Sequence, residues 1–259
     1  MHRIPALRVT GYMGRAYART WRASIMTTFI NPVLYLLAMG VGLGSFINKS
    51  AGHAAIGHQT YLHFVAPALA ATAAATTAAS ESMFPIMGAI KWQKTYYAML
   101  ATPLRVGDVL AGHLAWIGVR IATSVASYLI VMAAFGTILS FQAVAILPVG
   151  ILTGAAFATP LAAFAATQDT DSGFSLVFRL GVVPLFLFSG VFFPLKQLPV
   201  GLQVVAWITP LWNGVALCRP LAAGTVTATG LVGHLAYLIA VSVAGVVVAR
   251  STFRRRLLV

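Results

Sequence analysis

Six apolar runs recur along this chain, each close to the about 20 residues that a helix needs to cross a hydrocarbon core. They extend from about Ser24 to Ile47, Tyr61 to Phe84, Val109 to Phe135, Val144 to Thr167, Phe174 to Phe193 and Leu231 to Ala249. A backbone in lipid must satisfy its own hydrogen bonds, so runs of this length read as helices. The alternating segments of about ten residues that would build a membrane barrel are missing from the pattern. The six runs use up most of the 259 residues, which leaves a single transmembrane domain over 1–259. The predicted fold is an all-α polytopic membrane protein.

Charge is scarce and placed at the ends of these runs. Charged residues make up 8% of the chain, against about 25% in soluble domains. The net charge of +13 would draw a soluble protein to nucleic acid. Basic residues clustered at span ends instead orient a membrane protein, so no nucleic-acid partner is expected. Placing both termini in the cytoplasm puts Arg3, Arg8, Arg15, Arg19, Arg22, Lys91, Lys94, Arg105, Arg179, Arg250, Arg254, Arg255 and Arg256 inside. Lys49, Lys196 and Arg219 then lie outside, and Arg120 lies within a span. The first apolar run lacks a small-residue cleavage site and reads as a span rather than a leader.

Before that first run, Arg8, Arg15, Arg19 and Arg22 share one helical face, and Val9, Met13, Tyr17 and Trp21 the opposite one. This predicts an interfacial helix with arginines toward lipid headgroups. Between the second and third runs lies "KWQKTYYAMLATPLRVGD", basic and aromatic. Trp92, Tyr96, Met99 and Leu100 fall on one face of a short helix, with Lys91 and Lys94 toward the other. Thr102-Pro103 ends it, because the residue before proline avoids the helical region. Such a helix can rest on lipid or dock in a protein groove.

From Phe192 to Gly224 the chain is apolar yet carries Pro194, Pro199, Pro210 and Pro220. Four prolines forbid one continuous helix. Two short re-entrant helices in the outer leaflet fit better than an exposed loop.

The run "TYYAMLATPLRVGDVLAGHLAW" resembles the corresponding loop of ABC-2 type exporter permeases. The likeness is strongest to the branch that exports nodulation lipo-oligosaccharides and to its drug- and lipid-exporter relatives. "FFPLKQLPVGLQVVAWITPLWNGVALCR" is similar to that family's outer segment before the last span. The resemblance implies a coupling helix, built from Lys91, Trp92, Lys94, Tyr96, Met99 and Leu100, that docks on a separate ATPase. It implies an outer gate at Phe192, Phe193 and Pro194, and a substrate path along the second and fifth spans. That path would comprise Thr72, Thr76, Thr77 and Ser80 with Phe186, Phe188, Ser189 and Phe192.

The family's acidic residue at the inner end of span two is matched by Glu81, while Lys91 and Lys94 stand where some relatives carry acids. The chain has no G-x-x-x-x-G-K-[ST], so ATP and magnesium are expected on partner chains and no cofactor on this one. The implied assembly is a second permease copy or a paralogue with two copies of a P-loop ATPase. It would sit among the lipids of a bacterial inner membrane and move a lipid-linked saccharide, a glycolipid or a drug outward.

Three charges stand within or near the spans. Glu81 is read as linked to Arg179 or Lys91, or else as an interfacial carboxylate in water. Arg120 and Arg179 either bind headgroups and move with conformation or snorkel to the surface. Asp169 and Asp171 in "TQDTDSG" read as a capped turn. His53, His58 and His63 scatter around a helix and promise no metal site, and Cys218 reads as a small buried apolar residue. The small-residue run Pro67 to Ser80 and the Gly150, Gly154, Ala158 ridge predict close helix packing. A membrane enzyme would need convergent carboxylates or nucleophiles, and an ion-coupled transporter a buried relay. Four scattered acids favour neither.

Overall fold

The computed structural model describes residues 5–49, 54, 56–57 and 59–258, and among these it is helical with no strand. An N-terminal helix, Pro5–Tyr17, precedes span one, which comprises Trp21–Tyr35, a π-helical stretch Leu36–Leu43 and Gly44–Ile47. Span two is Tyr61–Met87, with a π-helical end at Gly88–Trp92. A short helix, Thr95–Leu100, leads to span three, Val106–Ala134. Span four is Ile146–Thr167, and span five runs over Ser172–Phe188 with π-helical geometry at Val177–Val182. Helices Val200–Trp207 and Pro210–Ala223 form an outer hairpin, and the last span is Ala228–Leu257.

The expected all-α polytopic architecture holds, with differences in length. Among the described residues, five helices are long and apolar enough to cross a membrane. The outer hairpin passes the same test only as a pair bent by 84°. Span five is shorter than predicted. Its 17 helical residues end at Phe188, not Phe193, and reach about 25 Å at 1.5 Å per residue.

Spans two and four form the centre, with span three, the last span and the outer hairpin packed on them. Alanine explains this: Ala70, Ala71, Ala74, Ala78 and Ala79 of span two are fully buried, so neighbouring backbones approach closely. On span four, a Cβ at Gly150 would meet Val125 at 2.8 Å, and one at Gly154 would meet Ile121 at 2.6 Å. Both contacts fix span three against the small-residue ridge. By contrast, 78% of the apolar window of span two is buried but only 22% of that of span one.

Prolines inside the spans couple neighbours. A helix proline leaves the carbonyl four residues earlier without its N–H. Pro32 does this to Thr28, whose carbonyl instead accepts from Ser127 Oγ of span three at 3.0 Å. Pro85 does it to Glu81, whose carbonyl lies 3.5 Å from His113 Nε2, again on span three.

The N-terminal helix ends at Tyr17, so Trp21 opens span one and does not continue the predicted face. Val9 is buried on span three, where Thr10 Oγ1 donates to the Gly112 carbonyl at 2.9 Å. At the hairpin bend, Asn213 Nδ2 donates to the Thr209 carbonyl at 2.9 Å and the Trp207 carbonyl at 3.2 Å, and Tyr237 donates to Ile208. Cys218 is fully buried. His53 and His58 lie outside the described residues, and His63 Nδ1 pairs with Thr60.

Candidate substrate cavity and coupling face

A cavity of ≈ 590 Å³ opens between spans one, two, three and five. Thr72, Thr76 and Thr77 of span two and Phe186 of span five line it, as the path predicted. Thr28, Asn31 and Tyr35 of span one and Ser124 and Tyr128 of span three complete its polar wall. Val182, Val183 and Leu187 of span five face them and make the other side apolar. Ser80, Phe188 and Ser189 do not line it. Ser80 bonds back to the Thr76 carbonyl, and Ser189 is buried against Thr209.

The wall has a defined hydrogen-bonding sense. Thr28, Thr72 and Thr76 donate their hydroxyl protons to carbonyls of their own helices, leaving oxygen lone pairs toward the cavity. The Asn31 amide has no partner among the described residues and adds a free donor and acceptor. Asn31-Pro32 in the middle of an apolar run was the available sequence signal for span one's part in the cavity. Tyr35 and Tyr128 carried none, since tyrosines in a span are unremarkable.

Arg120 closes the inner end of the cavity. Its Nε donates to Glu81 Oε1 at 2.9 Å and its Nη1 to Tyr17 Oη at 2.6 Å, and the guanidinium lies 4.4 Å from the Tyr17 ring centroid. The side chains of Arg120 and Glu81 are 17% and 21% exposed. This corrects two expectations. Glu81 is linked to neither Arg179 nor Lys91, and Arg120 does not snorkel to the surface. Arg120 lies about two helix turns along span three from the His113 that meets the Glu81 backbone, so the two spans join at both points. Arg179 sits in the π-helical part of span five, exposed and without an ion pair.

The loop helix also departs from expectation. Lys94 adopts φ +53°, a left-handed conformation that breaks the predicted continuous helix from Lys91 to Leu100. Trp92 therefore ends span two, while Tyr96 turns inward on a separate helix. Tyr96 is fully buried, its hydroxyl 2.6 Å from His113 Nδ1 and its ring packed beside Phe253. It cannot offer its face to a partner. Met99 and Leu100 are half-buried against the same inner cluster. Trp92, Tyr97 and Lys94 remain exposed.

Asp169 joins three segments on this face. Its Oδ1 lies 2.8 Å from Lys91 Nζ and 2.6 Å from Arg256 Nη2. The two cations hold its carboxyl down to about 2, from an ordinary 3.8. The end of span two, the loop between spans four and five and the end of the last span thus meet at one side chain. The sequence pattern marks Asp169 only as part of a turn.

At the opposite end, span five stops where Gly190 takes φ +73°. Arg219 of the hairpin donates to the carbonyls of Phe64 at 3.0 Å, Gly190 at 2.6 Å and Val191 at 3.0 Å, and lies 3.7 Å from the Phe64 ring centroid. These bonds fold residues 189–193 inward, so Phe192 and Phe193 do not end the span. Phe192 packs edge-on to Phe186 at 4.8 Å, and its carbonyl accepts from Tyr61 Oη. Pro194 begins a 3-10 turn at Leu195–Gln197 instead of breaking a helix.

A bundle of apolar spans around a two-sided cavity, with a proline-broken outer hairpin and an exposed loop helix, defines a membrane permease. Residues 10–220 match the ABC-2 type transporter family, and the chain belongs to it. It is 31% identical over 94% of its length to "Nodulation protein J" of Rhizobium leguminosarum bv. viciae, covering 91% of that protein. It is 32% identical to the protein of the same name in R. leguminosarum bv. trifolii, over 81% of this chain and 78% of that one. The "Inner membrane transport permease YadH" of Escherichia coli K12 is 24% identical over 79% of this chain and 73% of its own. Family membership makes the chain an export permease, a membrane subunit that associates with an ATP-binding subunit.

Proposed function

We propose that the chain moves an amphipathic molecule with a hydroxylated headgroup, such as a lipid-linked saccharide, a glycolipid or a polar drug, through the cavity between spans one, two, three and five. The observation that carries this is the cavity's two-sided wall. Oxygen lone pairs and the Asn31 amide on one side suit a headgroup rich in hydroxyl donors, and the apolar face of span five suits a lipid tail. The Arg120–Glu81 pair leaves no net charge at the inner end, which favours a neutral headgroup. The Phe186–Phe192 contact is read as the outer closure, with Phe193 beside it.

ATP and magnesium belong in this reading to two copies of a P-loop ATPase, which meet the permease at Trp92, Lys94 and Tyr97. A second permease copy or paralogue covers the thinly packed spans one and five. The basic end, which carries the N-terminal helix and the end of the last span, faces the cytoplasm of a bacterial inner membrane. The test is ATP-dependent export of a fluorescent glycolipid by the permease and its ATPase in proteoliposomes. Thr76→Leu with Asn31→Leu should reduce glycolipid export at least about tenfold, by removing polar contacts worth about 1 kcal/mol each. Undiminished export by this variant would reject the cavity as the route.

A further inference from the structure

The geometry points to an anionic-phospholipid site on the last span, where Arg250, Arg254 and Arg255 line a groove of ≈ 610 Å³ with Val247, Ser251 and Leu258. The span is two-faced along its final turns. Gly245, Ala249, Phe253 and Leu257 are buried against the bundle at four-residue intervals. Val243 and Val247, on the other side, are 58% and 64% exposed. One turn further on, that outward face becomes basic. An apolar strip that ends in guanidiniums matches a lipid along its length, acyl chain first and phosphate last.

The chain has almost no acid left for these arginines. It contains four acidic residues. Glu81 is taken by Arg120, Asp169 by Lys91 and Arg256, and Asp108 by the backbone at the start of span three. Asp171 precedes the helix Ser172–Leu176 and makes no ion pair. Arg256, next to Arg255 but not lining the groove, shows what an available carboxylate does, since it turns inward to Asp169. Among the described residues Arg250, Arg254 and Arg255 stay outward without an ion pair, and no acidic side chain of the chain is placed to take them, which leaves the groove open to an anion from outside. Guanidinium pairs well with phosphate, because two N–H groups meet two oxygens. Continuity with the lipid-facing valines selects a membrane lipid over a soluble anion.

The test uses the permease with a fluorophore on Val243→Cys, Cys218 being buried and silent. In nanodiscs of phosphatidylcholine, brominated phosphatidylglycerol should quench the label at a mole fraction on the order of tenfold lower than brominated phosphatidylcholine. R250Q/R254Q/R255Q should remove that difference. R250K/R254K/R255K, which keeps the charge and the insertion topology, should retain most of it. Equal quenching by the two lipids, or a preference that survives the glutamine variant, would overturn the site. Displacement by millimolar inorganic phosphate would assign the groove to a soluble anion and also overturn it. The lipid site would likewise fall if the glutamine variant kept its lipid preference but lost ATPase binding, which would make these arginines a protein-docking patch.

Discussion

Arg120 and Glu81 meet at 2.9 Å across spans three and two, at the inner end of the cavity. Each is costly in a membrane without the other. Glu81→Gln or Arg120→Gln should each lower stability by about 1–3 kcal/mol, because the remaining charge loses its partner. The double variant should be less destabilised than the sum of the two. Thermal unfolding of the four proteins in detergent gives the coupling. Additive effects would show that the pair is not an energetic unit.

Tyr96 and Trp92 should fail differently when replaced. Tyr96→Phe strips the hydroxyl from the buried His113 Nδ1, an unmade buried hydrogen bond worth about 1–3 kcal/mol. It should lower the melting temperature whether or not an ATPase is present. Trp92→Ala with Tyr97→Ala removes exposed rings and should leave melting unchanged while weakening ATPase binding at least about tenfold, as for interface aromatics generally. A stable Tyr96→Phe protein that binds its ATPase poorly would restore Tyr96 to the docking surface.

These two aromatics also show what the sequence could reveal. The five long spans, the broken outer hairpin and the threonines on span two follow from hydropathy, proline and small-residue spacing, which are local signals. Periodicity likewise put Tyr96 with Trp92, and it would have been right for an unbroken helix. A left-handed Lys94 separates them, and the inward-turned Tyr96 meets His113, a residue in another span. Glu81 was matched with the wrong cations because choosing Arg120 requires knowing which faces of spans two and three meet. Arg219 read as an ordinary outside charge, since nothing in its neighbourhood announces three distant carbonyls.

The Asp169 junction should respond to acid. Its carboxyl is held at about 2, below its ordinary 3.8, so the junction's contribution is complete above about pH 4. It is lost as pH falls through about 2, when the folded carboxylate takes up its proton. A nitroxide on Thr170→Cys should be held at neutral pH and loosen over that window. In Asp169→Asn it should be loose throughout. A spectrum independent of both pH and the substitution would show that the two ion pairs do not hold the loop.

Orientation can be read with two cysteines. Gln59→Cys should react with an impermeant maleimide added outside cells, and Gln93→Cys only after the membrane is opened. Both side chains are exposed, and the native Cys218 is buried. The reverse pattern would place the Asp169 face outside and reject the proposed ATPase contact.

Arg219 should matter more to folding than a surface arginine does. Arg219→Gln removes up to three charge-assisted bonds to backbone carbonyls and should cost at least about 2 kcal/mol. It should also expose a cysteine placed at Phe193. Unchanged melting and unchanged cysteine reactivity would mean that residues 189–193 hold their shape without it.

The partners of that arginine are all peptide oxygens, which neither gain nor lose protons in any medium a cell inhabits. The acceptors that Arg219 holds are therefore indifferent to acidity, whereas the junction at Asp169 depends on a carboxylate. On the proposed orientation, the acceptors that Arg219 grips on the outer side keep their form whatever the pH there. The Asp169 fastening, complete above about pH 4, likewise holds across the pH range of a regulated cytoplasm.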